Sequence, residues 1–165
     1  MKKNLAIFAS GSGTNAENIV KHFKGNSDVG VKLILSNKKD AGVLERAKKL
    51  GIPSHVFSRP DFYENNNVLD VLKAHNVDWV VLPGFLWLIP GNLIKAFPDK
   101  IINIHPALLP KFGGKGMYGD RVHQAVIQAG EKDSGITIHL VNEKYDEGKI
   151  LFQASCDIEK DETPQ

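Results

Sequence analysis

Trp79-Val80-Val81-Leu82 is apolar at every position and is closed by Pro83-Gly84. A strand with one wet face alternates apolar and polar residues, so an uninterrupted apolar run predicts a central parallel strand covered on both faces. Toward the N-terminus, 67–74 sets Val68, Val71 and Leu72 on one helical face, behind a polar loop and a short extended piece at 55–57. Further out, 43–50 has helical spacing with Gly51-Ile52-Pro53 as its stop, 29–35 is a second apolar run, 14–24 is helical through Ile19, Val20 and Phe23, and 4–9 is a first short strand. Toward the C-terminus, a helical stretch at 92–97, an apolar run at 101–104 and a helix at 119–129 continue the alternation. Short connections between alternating strands and helices predict an α/β fold: a mostly parallel twisted sheet with helices on both faces. Beyond Ser134 the pattern changes. Ile136-Thr137-Ile138-His139-Leu140 and Ile150-Leu151-Phe152 flank Asp146-Glu147-Gly148, as in an antiparallel hairpin near the C-terminus.

The chain has 165 residues, so residues 1–165 are read as a single domain with one site. Its 42% hydrophobic and 24% charged content excludes disorder, collagen and coiled coil. The net charge of +2 is scattered, which argues against a nucleic-acid or membrane partner and leaves room for a small anion. A single cysteine, Cys156, excludes an internal disulfide framework and a multi-cysteine metal site, and fits a reducing, cytoplasmic setting. The apolar stretch 5–9 is too short for a signal-peptide core, and Trp79–Ile89, broken by Pro83-Gly84, falls short of the roughly 20 residues of a membrane span.

In open α/β sheets ligands sit beyond the carboxyl ends of the strands, so the residues after each strand are informative. Ser10-Gly11-Ser12-Gly13-Thr14-Asn15, then Gly84-Phe85-Leu86-Trp87, then Asn103-Ile104-His105-Pro106 are expected to meet on one rim. The first of these can offer successive backbone N–H groups and a helix start to a phosphate; the alternative is a tight turn that needs glycine and holds nothing. It also satisfies G-x-G-x-x-A at Gly11, Gly13 and Ala16, but Ser36-Asn37 stands where a dinucleotide-binding strand would end in an acid, which disfavours an NAD-binding reading. A Walker loop is excluded for want of Gly-Lys-Ser/Thr.

Asn103 and His105, two apart on a strand, project to the same side. An Asn amide and a protonated His suit a carbonyl that gains negative charge under attack. Asp146 either forms a turn with Glu147-Gly148 or partners the His105 ring and favours its charged form. No Gly-x-Ser-x-Gly elbow is present, so acyl transfer would run directly from donor to amine.

From Asn103-Ile104-His105-Pro106-Ala107-Leu108-Leu109-Pro110 the chain resembles the folate-dependent formyltransferases, in particular the branch acting on glycinamide ribonucleotide in purine (IMP) synthesis. The likeness runs from Ser10-Gly11-Ser12-Gly13-Thr14-Asn15 through Ser36-Asn37-Lys38 and Gly84-Phe85-Leu86 to Gly135–His139 and Tyr145-Asp146-Glu147-Gly148. The resemblance implies a Rossmann-like formyltransferase fold and metal-free transfer of the formyl group of 10-formyltetrahydrofolate to the amine of 5'-phosphoribosylglycinamide. It implies Asn103, His105 and Asp146 as the catalytic group, and Gly13, Thr14 and Asn15 as holders of the substrate phosphate. Arg59, Leu86, Trp87, Leu88, Ile89 and Asn103, with Asn142, Glu143, Lys144, Tyr145 and Asp146, are its implied folate site.

Two departures from the family stand out. Trp87 occupies a position where relatives carry Arg. The family also continues for some tens of residues, with a helix and a substrate-contacting Glu, beyond Asp161-Glu162-Thr163-Pro164-Gln165, where Thr before Pro reads as the start of a helix, so the chain is expected to lack that segment. Rival readings are a formyltetrahydrofolate hydrolase, a non-catalytic folate- or nucleotide-binding module, and the transfer-RNA branch of the superfamily, which needs a second domain. Monomer or weak homodimer is expected.

Overall fold

The computed structural model describes residues 1–159 and 162–164; Asp161 and Gln165, part of the helix start read from the sequence, lie outside the described residues. In chain order the elements are β1 (Lys3–Phe8), α1 (Thr14–His22), β2 (Val29–Ser36), α2 (Gly42–Leu50), β3 (Ser54–Val56), α3 (Arg59–Tyr63), α4 (Asn67–Ala74), β4 (Trp79–Pro83), α5 (Gly91–Ala96), β5 (Ile101–His105), α6 (Asp120–Gln128), β6 (Asp133–Leu140) and β7 (Ile150–Asp157). The strands form one seven-stranded sheet in the order β3-β2-β1-β4-β5-β6-β7. β1 to β5 pair in parallel, and β6 and β7 run antiparallel to their neighbours, as the change of pattern beyond Ser134 predicts.

Strand alternation divides the core into two layers. Ala6 and Phe8 of β1 and Leu33 and Leu35 of β2 face one side, where Phe62, Val68, Leu72 and Leu93 from α3, α4 and α5 cover them. Ile7, Ala9 and Ile34 face the other, against Ala16 and Val20 of α1 and Val43 and Ala47 of α2. Val80 and Leu82 lie in the first layer, and Trp79–Pro83 sits between β1 and β5. Burying each such Leu, Ile or Phe contributes about 1.5–3 kcal/mol. Gly51 ends α2 at φ 69°, the left-handed cap that its place in the sequence predicts.

Two elements differ from the sequence reading. The polar loop after residue 57 contains the five-residue α3, started by a capping box: the Asp61 N–H donates to the Ser58 hydroxyl and the Asp61 carboxylate accepts from the Ser58 N–H, with Pro60 early in the helix. At the far edge, β7 is exposed at every position, including Ile150, Leu151 and Phe152, because no described helix covers this end of the sheet.

The chain enters at β1, builds outward to β3, and returns to place β4 on the other side of β1. The strand order therefore reverses between β1 and β4, and a crevice opens beyond their carboxyl ends.

Candidate active site

Ser10, directly after β1 and only 3% exposed, ties the rim of this crevice together. Its N–H donates to the Gly84 carbonyl (3.0 Å) beyond β4, its hydroxyl accepts from the Leu86 N–H (3.1 Å), and the same hydroxyl donates to Asn37 Oδ1 (2.7 Å) beyond β2. The position where a dinucleotide-binding protein would carry an acid is thus occupied by an amide that anchors the first loop. Of the three segments expected to meet on one rim, Ser10 joins those after β1 and β4, and it adds Asn37 beyond β2.

Gly13 precedes α1 with φ 76°, and a Cβ there would stand 2.5 Å from Val43 Cβ, so both its conformation and its surroundings require glycine. Among the described residues, no protein acceptor pairs with the N–H groups of Ser12, Gly13, Thr14 and Asn15. Free N–H groups in succession at the start of a helix are the ordinary seat of an anion.

On β5, Asn103 and His105 reach the same carboxylate oxygen. Asp146 Oδ1 lies 3.4 Å from Asn103 Nδ2, which donates to it, 3.5 Å from His105 Nδ1 and 3.6 Å from His139 Nε2. Its other oxygen, Oδ2, accepts from the Gly114 N–H at 2.9 Å. His105 is 3% exposed, and its Nε2–H donates to the Phe112 carbonyl at 2.8 Å. The two ring nitrogens thus lie against the Asp146 carboxylate and the Phe112 carbonyl. Burial pushes the Asp146 carboxyl up, but His139, the Gly114 N–H and the charge of His105 outweigh it and hold the group below its ordinary value. Asp146 (φ 56°) and Phe112 (φ 55°) are both non-glycine residues in the left-handed region, strain that collects on the two residues touching His105.

His139, Phe112 and Gly114 were not among the site residues read from the sequence. His139 sits opposite Asn103 in the β5–β6 ladder, its Nδ1–H donates to the Leu140 carbonyl (2.9 Å), and its Nε2 is 3.0 Å from Asn103 Nδ2. The signal was present in Thr137 and His139, two polar residues in step within the otherwise apolar stretch 136–140. Thr137, opposite His105, is fully buried; it accepts from the Leu109 N–H (3.0 Å) and donates to the Ala107 carbonyl (2.7 Å), fixing the turn that follows His105.

Of the residues of the implied folate site, Asn103 and Asp146 lie in the cluster on β5, whereas Arg59, Trp87 and Leu88 gather around Tyr63. The Arg59 guanidinium stands over the Tyr63 ring (5.1 Å) and the Trp87 ring (5.5 Å), and the Tyr63 hydroxyl donates to the Leu88 carbonyl (2.8 Å). Trp87 packs edge-on to Phe57 and Phe85, and Ile89 is buried in the adjoining core. Burial and the charge of Tyr145, in the 142–146 loop, raise the Tyr63 hydroxyl, and Arg59 opposes them. Within that loop the Lys144 N–H donates to Asn142 Oδ1, and Glu143 approaches Gly91 at the start of α5. Among the described residues no group of three or more His, Cys, Asp or Glu side chains is arranged to hold a metal ion, and no helix is long and apolar enough to cross a membrane.

A doubly wound sheet groups an amide, an imidazole and a carboxylate at the end of one strand, and the sequence pattern of the formyl transferase family matches residues 3–165: the chain belongs to that family. It is 46% identical over 170 residues to the chloroplastic phosphoribosylglycinamide formyltransferase of Arabidopsis thaliana, covering 99% of this chain and 58% of that protein. It is 41% identical over 167 residues to the phosphoribosylglycinamide formyltransferase of Bacillus subtilis strain 168, covering 98% of this chain and 83% of that one. The crystal structure of phosphoribosylglycinamide formyltransferase from Bacillus halodurans superposes with a TM-score of 0.86 at 39% identity, covering 98% of this chain and 84% of that chain. The chain spans little more than half the length of the plant relative.

Proposed function

We propose that the chain transfers the formyl group of 10-formyltetrahydrofolate to the amine of 5'-phosphoribosylglycinamide, giving the N-formyl product and tetrahydrofolate in de novo purine biosynthesis. The observation that carries this reading is the convergence of Asn103, His105 and His139 on one oxygen of Asp146, beside a loop with unpaired N–H groups. The names of the relatives supply the substrate pair.

In this reading the phosphate sits on the N–H groups of Gly13, Thr14 and Asn15. The pterin end of the donor lies along Leu86–Ile89 and the 142–146 loop, and Arg59 meets its carboxylated tail. The amine nitrogen attacks the formyl carbon, a C–N bond forms, and the carbonyl oxygen becomes an oxyanion. That oxygen replaces the Phe112 carbonyl as the acceptor at His105 Nε2, and the Asn103 amide turns from Asp146 to it. Asp146 keeps the proton on His105 Nδ1 and accepts, through water, the proton shed by the new ammonium. The bond from the formyl carbon to N10 then breaks and N10 takes up one proton, so that one proton leaves the amine and one arrives on the folate. In this reading the chain acts as a monomer or a weak homodimer in the cytoplasm.

The test is a coupled measurement of tetrahydrofolate and N-formyl product with both substrates present, and of donor breakdown with the amine omitted. Equal amounts of the two products, formed only when the amine is present, are expected. Donor hydrolysis at the same rate without the amine would identify a hydrolase instead.

A further inference from the structure

The anion loop is held by α2, and one side chain of α2 does what backbone packing alone cannot. The Val43 N–H donates to the Gly11 carbonyl (3.1 Å), and the Arg46 Nε–H donates to the Ser12 carbonyl (2.7 Å). In a trans peptide the N–H points opposite to the C=O. Drawing the carbonyls of residues 11 and 12 toward α2 therefore aims the N–H groups of Ser12 and Gly13 away from it, and Gly13, with φ 76°, hands the series on to Thr14 at the start of α1. The approach is close: a Cβ on Gly42 would lie 3.1 Å from Ser12 Cα, which brings Arg46, one turn later, within reach of the loop. The Arg46 guanidinium also pairs with Glu17 of α1, so its plane is fixed from both sides, and Lys21 shares the same carboxylate.

We propose that Arg46 is a positioning residue for the phosphate loop: it turns the Ser12–Gly13 peptide so that its N–H faces the substrate anion. This rests on the reading of residues 12–15 as the seat of the substrate phosphate. An ordinary exposed ion pair between two helices contributes little to stability and would leave anion affinity untouched, so the two roles give different results. Lysine cannot reproduce the effect, because a single ammonium nitrogen lacks the planar fork that meets Ser12 and Glu17 together.

The test follows the backbone amide resonances of the full chain during titration with inorganic phosphate, beside steady-state kinetics. In the wild type a saturable shift of the Ser12, Gly13, Thr14 and Asn15 amides is expected. Arg46→Ala is expected to weaken phosphate binding, and to raise KM for the ribonucleotide, by about tenfold, the loss of one charge-assisted hydrogen bond. kcat and KM for the formyl donor should stay within about twofold in that variant. Arg46→Lys, which keeps the charge and perturbs the fold less, should remain at least about threefold weaker than wild type. Lys21→Ala, which removes the ion pair to Glu17 and leaves the Arg46–Ser12 bond in place, should bind phosphate as the wild type does. Wild-type phosphate affinity in Arg46→Ala, full recovery in Arg46→Lys, or no amide shift in the wild type would each overturn the proposal. Phosphate binding that depends on Arg46 in a chain that transfers no formyl group would support this inference while refuting the proposed function.

Discussion

Asp146 Oδ1 lies 3.5 Å from His105 Nδ1 while the opposite ring nitrogen, Nε2, donates to the Phe112 carbonyl at 2.8 Å. The imidazole is thus held between the Asp146 carboxylate on one ring nitrogen and a backbone carbonyl on the other. Asp146→Asn keeps the shape of the side chain and removes its charge. It is expected to lower kcat by about a hundredfold or more while both KM values change little, and His105→Ala at least as much. Steady-state rates near wild type in either variant would remove the pair from the mechanism.

The α3 capping box makes a pH-dependent contribution to stability. Hydrogen bonds from the Ser58 side chain, then its backbone N–H, and from Asn67 hold the Asp61 carboxyl at about 2, below its ordinary 3.8. A folded value below the unfolded one stabilises the protein fully above the unfolded value, and the contribution is lost as pH falls through the folded one. Asp61→Asn should melt below wild type at pH 7, and the gap should close between about pH 4 and pH 2. A gap that stays constant across that range would show that the charge is not the cause.

Two glycines in one loop should respond differently to an added methyl. A Cβ on Gly13 meets Val43 at 2.5 Å in a left-handed backbone, whereas a Cβ on Gly11 meets nothing within 4 Å. Gly13→Ala is expected to cost about 2–3 kcal/mol in denaturant unfolding, from overpacking and backbone strain. Gly11→Ala should lie within about 0.5 kcal/mol of wild type.

Trp87 and Tyr63 hold the Arg59 guanidinium over their rings. Removing one face of that contact by Trp87→Ala should raise KM for the formyl donor about three- to fivefold, with KM for the ribonucleotide unchanged. A rise in KM for the ribonucleotide instead would place the aromatic cluster in the wrong subsite.

How far the sequence could be read depended on whether each signal was local. Trp79–Leu82 is recognisable as a central strand because every position is apolar, and Ser10–Asn15 as a tight turn into a helix because its glycines stand between a strand and a helix. The likeness to a known family then picked out Asp146 as the partner of His105, a pairing that spacing alone left open. α3 escaped because five residues are too few to show a period, although Ser58 and Asp61 carry its capping signal. His139 and Arg46 escaped for another reason. His139 meets Asn103 only through the β5–β6 register, and Arg46 of α2 meets Ser12, in the loop before α1, from 34 positions away.

The most direct measurement follows an isotopically labelled formyl group from 10-formyltetrahydrofolate in the wild type and in Asp146→Asn. The label is expected in the N-formyl ribonucleotide, only when the amine substrate is present, and at a rate lower by about a hundredfold or more in Asp146→Asn. Label released as formate at the same rate with and without the amine, or transfer unaffected by the loss of the Asp146 charge, would contradict the assignment.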